Sequence, residues 1–335
     1  MKLSTPRWWY VREDVPAPVT RALLTPLSWI WAAVTARRIA RTVPVDAGLP
    51  VICVGNLTAG GTGKTPVVAA LLGRIDGAHG LSRGYGGKLK GPVRVDPAIH
   101  TAADVGDEPL MLGASHPFWV SADRVVGARA AKAAGASVVV MDDGHTNPGL
   151  RKTLSLVVVD GETRNGEWPF GDGSVFPTGP LREPFKVGLA RADAVVLMLP
   201  ADLEAADPEL LALFSTTPVL LARMAPREAL PAGPQVGFAG IGKPWKVERA
   251  LKAAGCDLKD FVSFPDHFAY DEATLKILAD RAAQFEAGLV TTEKDWVRLP
   301  PAWRARIRSW PVEAVFEVPE ALDALIRPLS EPGKA

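Results

Sequence analysis

Lys64 and Thr65 follow a glycine-rich run, Gly60-Gly61-Thr62-Gly63, which itself follows an apolar stretch beginning at Val51. A strand, a glycine loop and a helix start in that order build a phosphate cradle. Glycines let successive backbone N–H groups turn onto an anion, and the helix adds its positive N-terminal end. Lys64 can reach β- and γ-phosphates, and the Thr65 hydroxyl can ligate Mg²⁺. The pattern G-x-x-x-x-G-K-[ST] is broken at its first glycine, where the chain has Thr58. The alternative is a glycine-rich turn that carries Lys-Thr by coincidence. The order of strand, loop, lysine and threonine weighs against it.

Acidic residues gather in two places. Val138 to Met141 is an apolar run ending in Asp142 and Asp143. An acid at a strand end beside a phosphate loop holds Mg²⁺, directly or through water; Asp-Asp-Gly is also an ordinary turn. Gly106-Asp107-Glu108-Pro109 sets two further carboxylates at a helix start, with Pro109 in its first turn. They suit the helix dipole, or they orient a hydroxyl nucleophile and complete a metal shell. Arg83 among glycines, Arg182 in Gly-Pro-Leu-Arg-Glu-Pro and Arg124 at a helix start could each grip a phosphate; solvated arginines are the plainer reading. His267, in Phe-Pro-Asp-His-Phe, is either structural or a proton-handling group at a cleft. Thr292-Glu293-Lys294-Asp295 superficially looks like a guanine-selecting motif, but its lysine falls one place late.

The elements that must position these groups alternate. Strands are expected at 51–54, 138–141, 156–159, 194–199 and 219–222, with helices at 65–74 and 123–134. Near-continuous apolar strands alternating with helices predict a mostly parallel α/β sheet. A proline-containing joint at 225–234 precedes a second block. It has strands at 236–239, 261–264 and 289–291 and helices at 245–254 and 271–287. The expected architecture is an N-terminal helix and linker over 1–46, a P-loop NTPase-like domain over 47–225 and a smaller α/β domain over 226–335.

The chain has 335 residues, 47% hydrophobic, with a formal charge of +1. No basic run argues for nucleic acid. Cys53 and Cys256 lie far apart without a C-x-x-C partner, which excludes a disulfide framework and fits a reducing compartment. Residues 22–36 form an apolar stretch shorter than the roughly 20 residues that span a bilayer. Trp8, Trp9, Trp29, Trp31 and flanking arginines such as Arg37, Arg38 and Arg41 suit a helix lying in a headgroup zone. The alternative is a helix packed on the protein's own core.

Taken in order, these segments resemble the tetraacyldisaccharide 4′-kinases of lipid A biosynthesis, in which the loop also departs from the strict pattern at the position of Thr58. The matching runs are 54–66, 81–86, 106–109, 142–144, 179–183, 240–244, 264–268 and 292–295. Where that family often continues Phe-Gln-His after Asp-Asp-Gly, this chain has His145-Thr146-Asn147. The resemblance implies transfer of the ATP γ-phosphoryl group to the 4′-hydroxyl of a tetraacylated disaccharide 1-phosphate, giving lipid IVA. It also implies an N-terminal helix docked on the cytoplasmic face of the bacterial inner membrane; no stable protein partner is indicated by the sequence. The resemblance carries a residue pairing as well. It pairs Asp107 with His267, a pair that would form only when the two domains close. Rival readings are a partitioning-type ATPase switch, disfavoured because Ala59 stands where its signature lysine belongs, a GTP-binding regulator, and a membrane scaffold with a decayed site.

Overall fold

The computed structural model describes residues 6–13 and 15–330. The outermost parts of the expected 1–46 and 226–335 segments, and Asp14, lie outside the described residues. The large sheet has nine strands. In chain order these are β1 (Val51–Gly55), β2 (Ala78–Ser82), β3 (Val93–Arg94), β4 (Phe118–Val120), β5 (Val138–Asp142), β6 (Leu154–Asp160), β7 (Ala194–Leu199), β8 (Val219–Pro226) and β13 (Val312–Phe316). Their spatial order is β13-β8-β7-β6-β1-β5-β2-β4-β3, antiparallel only at the two edges. The second sheet contains β9 (Gln235–Ala239), β10 (Leu258–Ser263), β11 (Gly288–Thr292) and β12 (Ile307–Trp310), all parallel, in the order β10-β9-β11-β12.

Every residue of β1, β5, β6 and β7 is buried, and alternate side chains feed cores on the two faces of the sheet. Ile52, Val54, Val140 and Val158 join Val67 and Leu71 of helix Lys64–Arg74 on one face. Cys53, Val139 and Met141 meet Ala128 and Ala131 of helix Arg124–Ala133 on the other. Helices on both faces explain why these strands read as unbroken apolar runs. The parallel register sets Val54 beside Asp142, so the glycine loop and the Asp142-Asp143 turn leave adjacent strands at the same edge of the sheet. Chain order reverses on either side of β1, and ligands bind at the carboxyl ends of strands at such a switch point.

The expected boundary at 226–335 needs one correction. After β12 the chain returns to the large sheet: β13 pairs antiparallel with β8, and helix Pro319–Ser330 buries Leu322 and Ile326 in the core beneath β1. The two crossings between units therefore run side by side, with Val312 opposite Pro226 and the Arg227 amide bonded to Pro311. The sequence hides this return, since β13 and its helix follow β12 with no composition break.

Helix Pro18–Arg41 has 24 residues. Its buried stripe is polar: Ser28 meets Thr178 at 2.8 Å, and Trp31 donates to the Arg182 carbonyl. Val19, Leu23, Trp29, Ile30 and Val34 face outward, between 59% and 74% exposed. The helix thus docks on the body through Ser28, the Arg21–Asp172 ion pair and the half-exposed Trp31 against Phe176, and shows its apolar face to the exterior. Among the described residues no helix is long and apolar enough to cross a membrane.

Truncating Leu322, fully buried on the large sheet, should destabilise that sheet although it lies beyond the second unit in sequence. Leu322→Ala is expected to cost about 2–5 kcal/mol, read as a lowered urea midpoint. A midpoint equal to that of the parent would mean that the C-terminal helix does not contribute to the large core.

Candidate active site

The glycine loop is stapled on its outer side. Ala59 N–H donates to Pro180 O at 2.7 Å, Thr58 forms a bridge with Leu181, and Arg182 Nε donates to Thr58 O at 3.1 Å. Tyr10 OH donates to Ala59 O at 2.7 Å. Gly63 caps helix Lys64–Arg74 with φ +83°, and a Cβ there would press on Met198 and Met224. No side chain caps this helix start, so its first N–H groups are left to face an anion. The Thr62 hydroxyl is buried without a partner.

Asp142 is buried with Oδ1 unpartnered. Burial pushes its carboxyl up to about 7, with Lys64 opposing and Asp143 and Glu108 adding repulsion. Its neighbour behaves oppositely. Asp143 takes a two-pronged grip from Arg182, at 2.7 and 3.1 Å, and lies 3.9 Å from Lys64. Burial favours its neutral form, but Lys64 and Arg182 outweigh it and hold the carboxyl well below the usual range. Arg182 is thereby committed to Asp143 and the glycine loop. Arg124 donates to the carbonyls of Ser121 and Ala122 and leaves its buried Nε unpartnered. Burial, then repulsion from exposed Arg83, lowers its pKa. A desolvated guanidinium beside a second arginine suits an anion.

The second unit closes over this edge. Gly242 comes so near the glycine loop that a Cβ on it would lie 3.3 Å from Gly61 N. Lys243 and Lys246 both bind Asp160, at the end of β6, at 2.8 and 2.5 Å. Asp107 opens helix Asp107–Gly113, and its Oδ2 lies 2.7 Å from His267 Nδ1 on the second unit. Glu108 meets Lys294, also of the second unit, at 2.6 Å. Burial acts to raise the Glu108 carboxyl, but Lys294 brings it net below its ordinary value. Tyr85 stands with its ring 5.5 Å from that of His267.

Lys64, Asp142, Asp143, Glu108, Asp107 and His267, singled out by sequence, thus gather at one place, and Thr65 follows Lys64 in the same helical turn. His145 does not join them. It is buried, its Nε2 2.8 Å from Gly188 O, and burial lowers it to about 4, so its ring is neutral and structural. Sequence reasoning missed Tyr85, Lys294 and Tyr10 as contributors. The only available signal was their place inside or beside motifs already noticed. Among the described residues no group of three or more His, Cys, Asp or Glu side chains could hold a metal ion. A phosphate-borne Mg²⁺ needs no such cage, only one or two carboxylates. The orphaned Asp142 Oδ1, on the strand paired with the one that leads into the glycine loop, fits that requirement.

A glycine phosphate loop, an unpartnered buried carboxylate and an acid–histidine pair across a two-domain cleft define a nucleotide-dependent phosphotransferase. Comparison with known proteins makes this particular. Residues 20–330 match the model of the tetraacyldisaccharide-1-P 4′-kinase family, and the chain belongs to it. The chain is 70% identical over 326 residues to the tetraacyldisaccharide 4′-kinase of Phenylobacterium zucineum, covering 97% of this chain and 99% of that one. It is 68% identical over 331 residues to the enzyme of that name from Caulobacter vibrioides, covering 98% and 99%. Among solved structures, the "apo" form of LpxK from Aquifex aeolicus in complex with ATP superposes with a TM-score of 0.71 at 25% identity. That match covers 93% of this chain and all of that one. The protein is therefore a kinase.

Because the Asp142 carboxyl is raised from 3.8 to about 7, its ionisation weakens the metal-free fold as pH rises from about 4 to 7. Asp142→Asn removes that charge. In chelator-treated protein the variant is expected to be more stable than the parent at pH 8 by a few kcal/mol, with the difference vanishing below pH 4. Urea titrations at several pH values measure it. A variant less stable at pH 8 would show that the carboxylate is favourably partnered.

Proposed function

We propose that this kinase transfers the γ-phosphoryl group of ATP to the 4′-hydroxyl of tetraacyldisaccharide 1-phosphate, giving lipid IVA, in the cleft between the two sheets. Family membership supports the reaction, and the 2.7 Å contact of Asp107 with His267 beside the glycine loop is the observation that supports its placement.

In this reading the backbone of 60–63 and Lys64 bind the β- and γ-phosphates. Thr65 and Asp142 or Asp143 would hold Mg²⁺, with Glu108 close by. The metal supplies charge neutralisation on the phosphates. Arg83 and Arg124 face the transferring group or the acceptor's 1-phosphate. Arg182 acts on them only through Asp143 and Thr58. The 4′-oxygen forms its bond to the γ-phosphorus as the bridge to ADP breaks, and its proton passes to Asp107, whose orientation His267 fixes. A loose transition state loses that proton late, so alignment outweighs basicity. The His267 contact exists only with the second unit closed, which keeps water from competing for the phosphoryl group.

The acceptor carries acyl chains, and helix Pro18–Arg41 presents its apolar face outward. That face, with Arg37 and Arg41 after it, lies on the cytoplasmic surface of the inner membrane in this reading. It brings the cleft to a lipid that stays in the bilayer.

Label from γ-labelled ATP should appear in tetraacyldisaccharide 1-phosphate in detergent micelles. Lys64→Ala should abolish it. Asp107→Ala should lower kcat on the order of 10²- to 10³-fold with the KM for ATP nearly unchanged. Weakened ATP binding at normal turnover would remove Asp107 from the chemistry.

For the surface helix, Leu23→Ser with Trp29→Ser should reduce sedimentation with phosphatidylglycerol–phosphatidylethanolamine vesicles about tenfold and spare micellar activity. Unchanged sedimentation would place the membrane contact elsewhere.

A further inference from the structure

The segment Thr292–Asp295 begins a short helix on the second unit that takes no part in the phosphate cradle. One turn on, Arg298 is buried, its side chain 6% exposed. All three of its guanidinium nitrogens donate. Nη1 donates to Phe268 O at 3.0 Å, Nη2 to Gly240 O at 2.9 Å and Nε to Lys294 O at 3.2 Å. Nη2 also meets Asp295 Oδ1 at 2.5 Å. Asp295, wholly buried, takes further bonds from Gly240 N and Tyr270 OH.

These contacts converge on His267. Its own N–H donates to Gly240 O, the carbonyl that Arg298 also holds, and Phe268 is the next residue. His267 has φ +56°, a left-handed conformation uncommon for a residue with a side chain and kept where the surroundings enforce it. Arg298 Nε also lies 3.4 Å from Asp107 Oδ2, the oxygen that His267 Nδ1 approaches. One guanidinium therefore grips both flanks of the His267 turn and faces its carboxylate partner across the cleft.

We propose that Arg298 is a positioning residue for phosphoryl transfer. It fixes the His267 turn and, with His267, fixes Asp107 through Oδ2, so that Oδ1 is the oxygen that meets the acceptor hydroxyl. The inference rests on the reading of Asp107 and His267 as the reacting pair. A lysine has the charge without the planar fork and cannot hold the three carbonyls and the two carboxylates at once.

The test is a double-mutant cycle on the full-length enzyme with ATP and micellar tetraacyldisaccharide 1-phosphate. Arg298→Met should lower kcat on the order of 10²-fold and leave the KM for ATP within about twofold. In an Asp107→Asn background the same change should cost less than about threefold, because the group it aligns is already lost. A full, additive loss in that background, or a loss carried equally by the KM for ATP, would mean that Arg298 only holds the second unit together. That result would overturn the proposal and leave the dyad standing. If Asp107→Asn itself keeps full kcat, the dyad reading falls and the inference falls with it. Should Arg298→Met fail to fold, judged by its thermal melt, the cycle is run with Arg298→Lys on the same criteria.

Discussion

The cleft depends on carboxylates of one unit being buried against donors of the other. Asp107 and Glu108 begin a helix of the large unit; His267, Arg298 and Lys294 reach them from the small one. An exposed ion pair contributes about 0–1 kcal/mol. Here the Asp107 and Arg298 side chains are only 9% and 6% exposed, so each charge has lost most of its water. Losing one partner of a pair this deep costs about 3–5 kcal/mol. Because the partners belong to different sheets, separating the units exposes or orphans these groups together. Parting of the units and loss of the Asp107–His267 contact are therefore one event.

That constraint is useful only because the large sheet delivers its parts to the same edge. Parallel pairing of β1 with β5 puts the glycine loop next to Asp142. The 179–183 segment then ties the loop's outer strand to Asp143 through Arg182. Two adjacent aspartates end in opposite states. Asp143 is ionised by its cations, while Asp142, without a partner for Oδ1, is driven toward its neutral form. A dication beside Asp142 would reverse that drive, which makes this carboxylate the group of the cleft most sensitive to what binds.

Much of this was legible in the sequence where one residue type does one job. β1, β5, β6 and β7 are buried on both faces and so appear as apolar runs. β2 and β4 were not read. β2 is Ala-His-Gly-Leu-Ser and β4 is three residues long, and Gly80 is small because Phe118 packs where its Cβ would be. The phosphate loop and the acids were visible as motifs. The charges that answer them were not: Lys294 and Arg298 lie far along the chain from Asp107, and only the closure of two sheets brings them together. Arg182 was visible as a phosphate-type arginine, yet its fork is filled by Asp143. Sequence fixes the chemistry a side chain has available, whereas burial and neighbours decide which partner takes it.

The N-terminal segment joins the exposed apolar helix Pro18–Arg41 to this same contact between the units. The turn Arg7–Tyr10 precedes that helix, and Tyr10 donates to Ala59 of the glycine loop while Lys243 of the second unit rests 3.8 Å above its ring. Lys243 is in turn bound to Asp160 at the end of β6. A single aromatic side chain thus touches the phosphate loop and the closing unit, about eight residues before the exposed apolar helix begins. An ammonium over an aromatic face is worth more when both are desolvated, and Lys243 is almost fully buried. The exposed apolar helix and the glycine loop are therefore braced against each other through the protein. A helix attached by a slack tether would have no such contact.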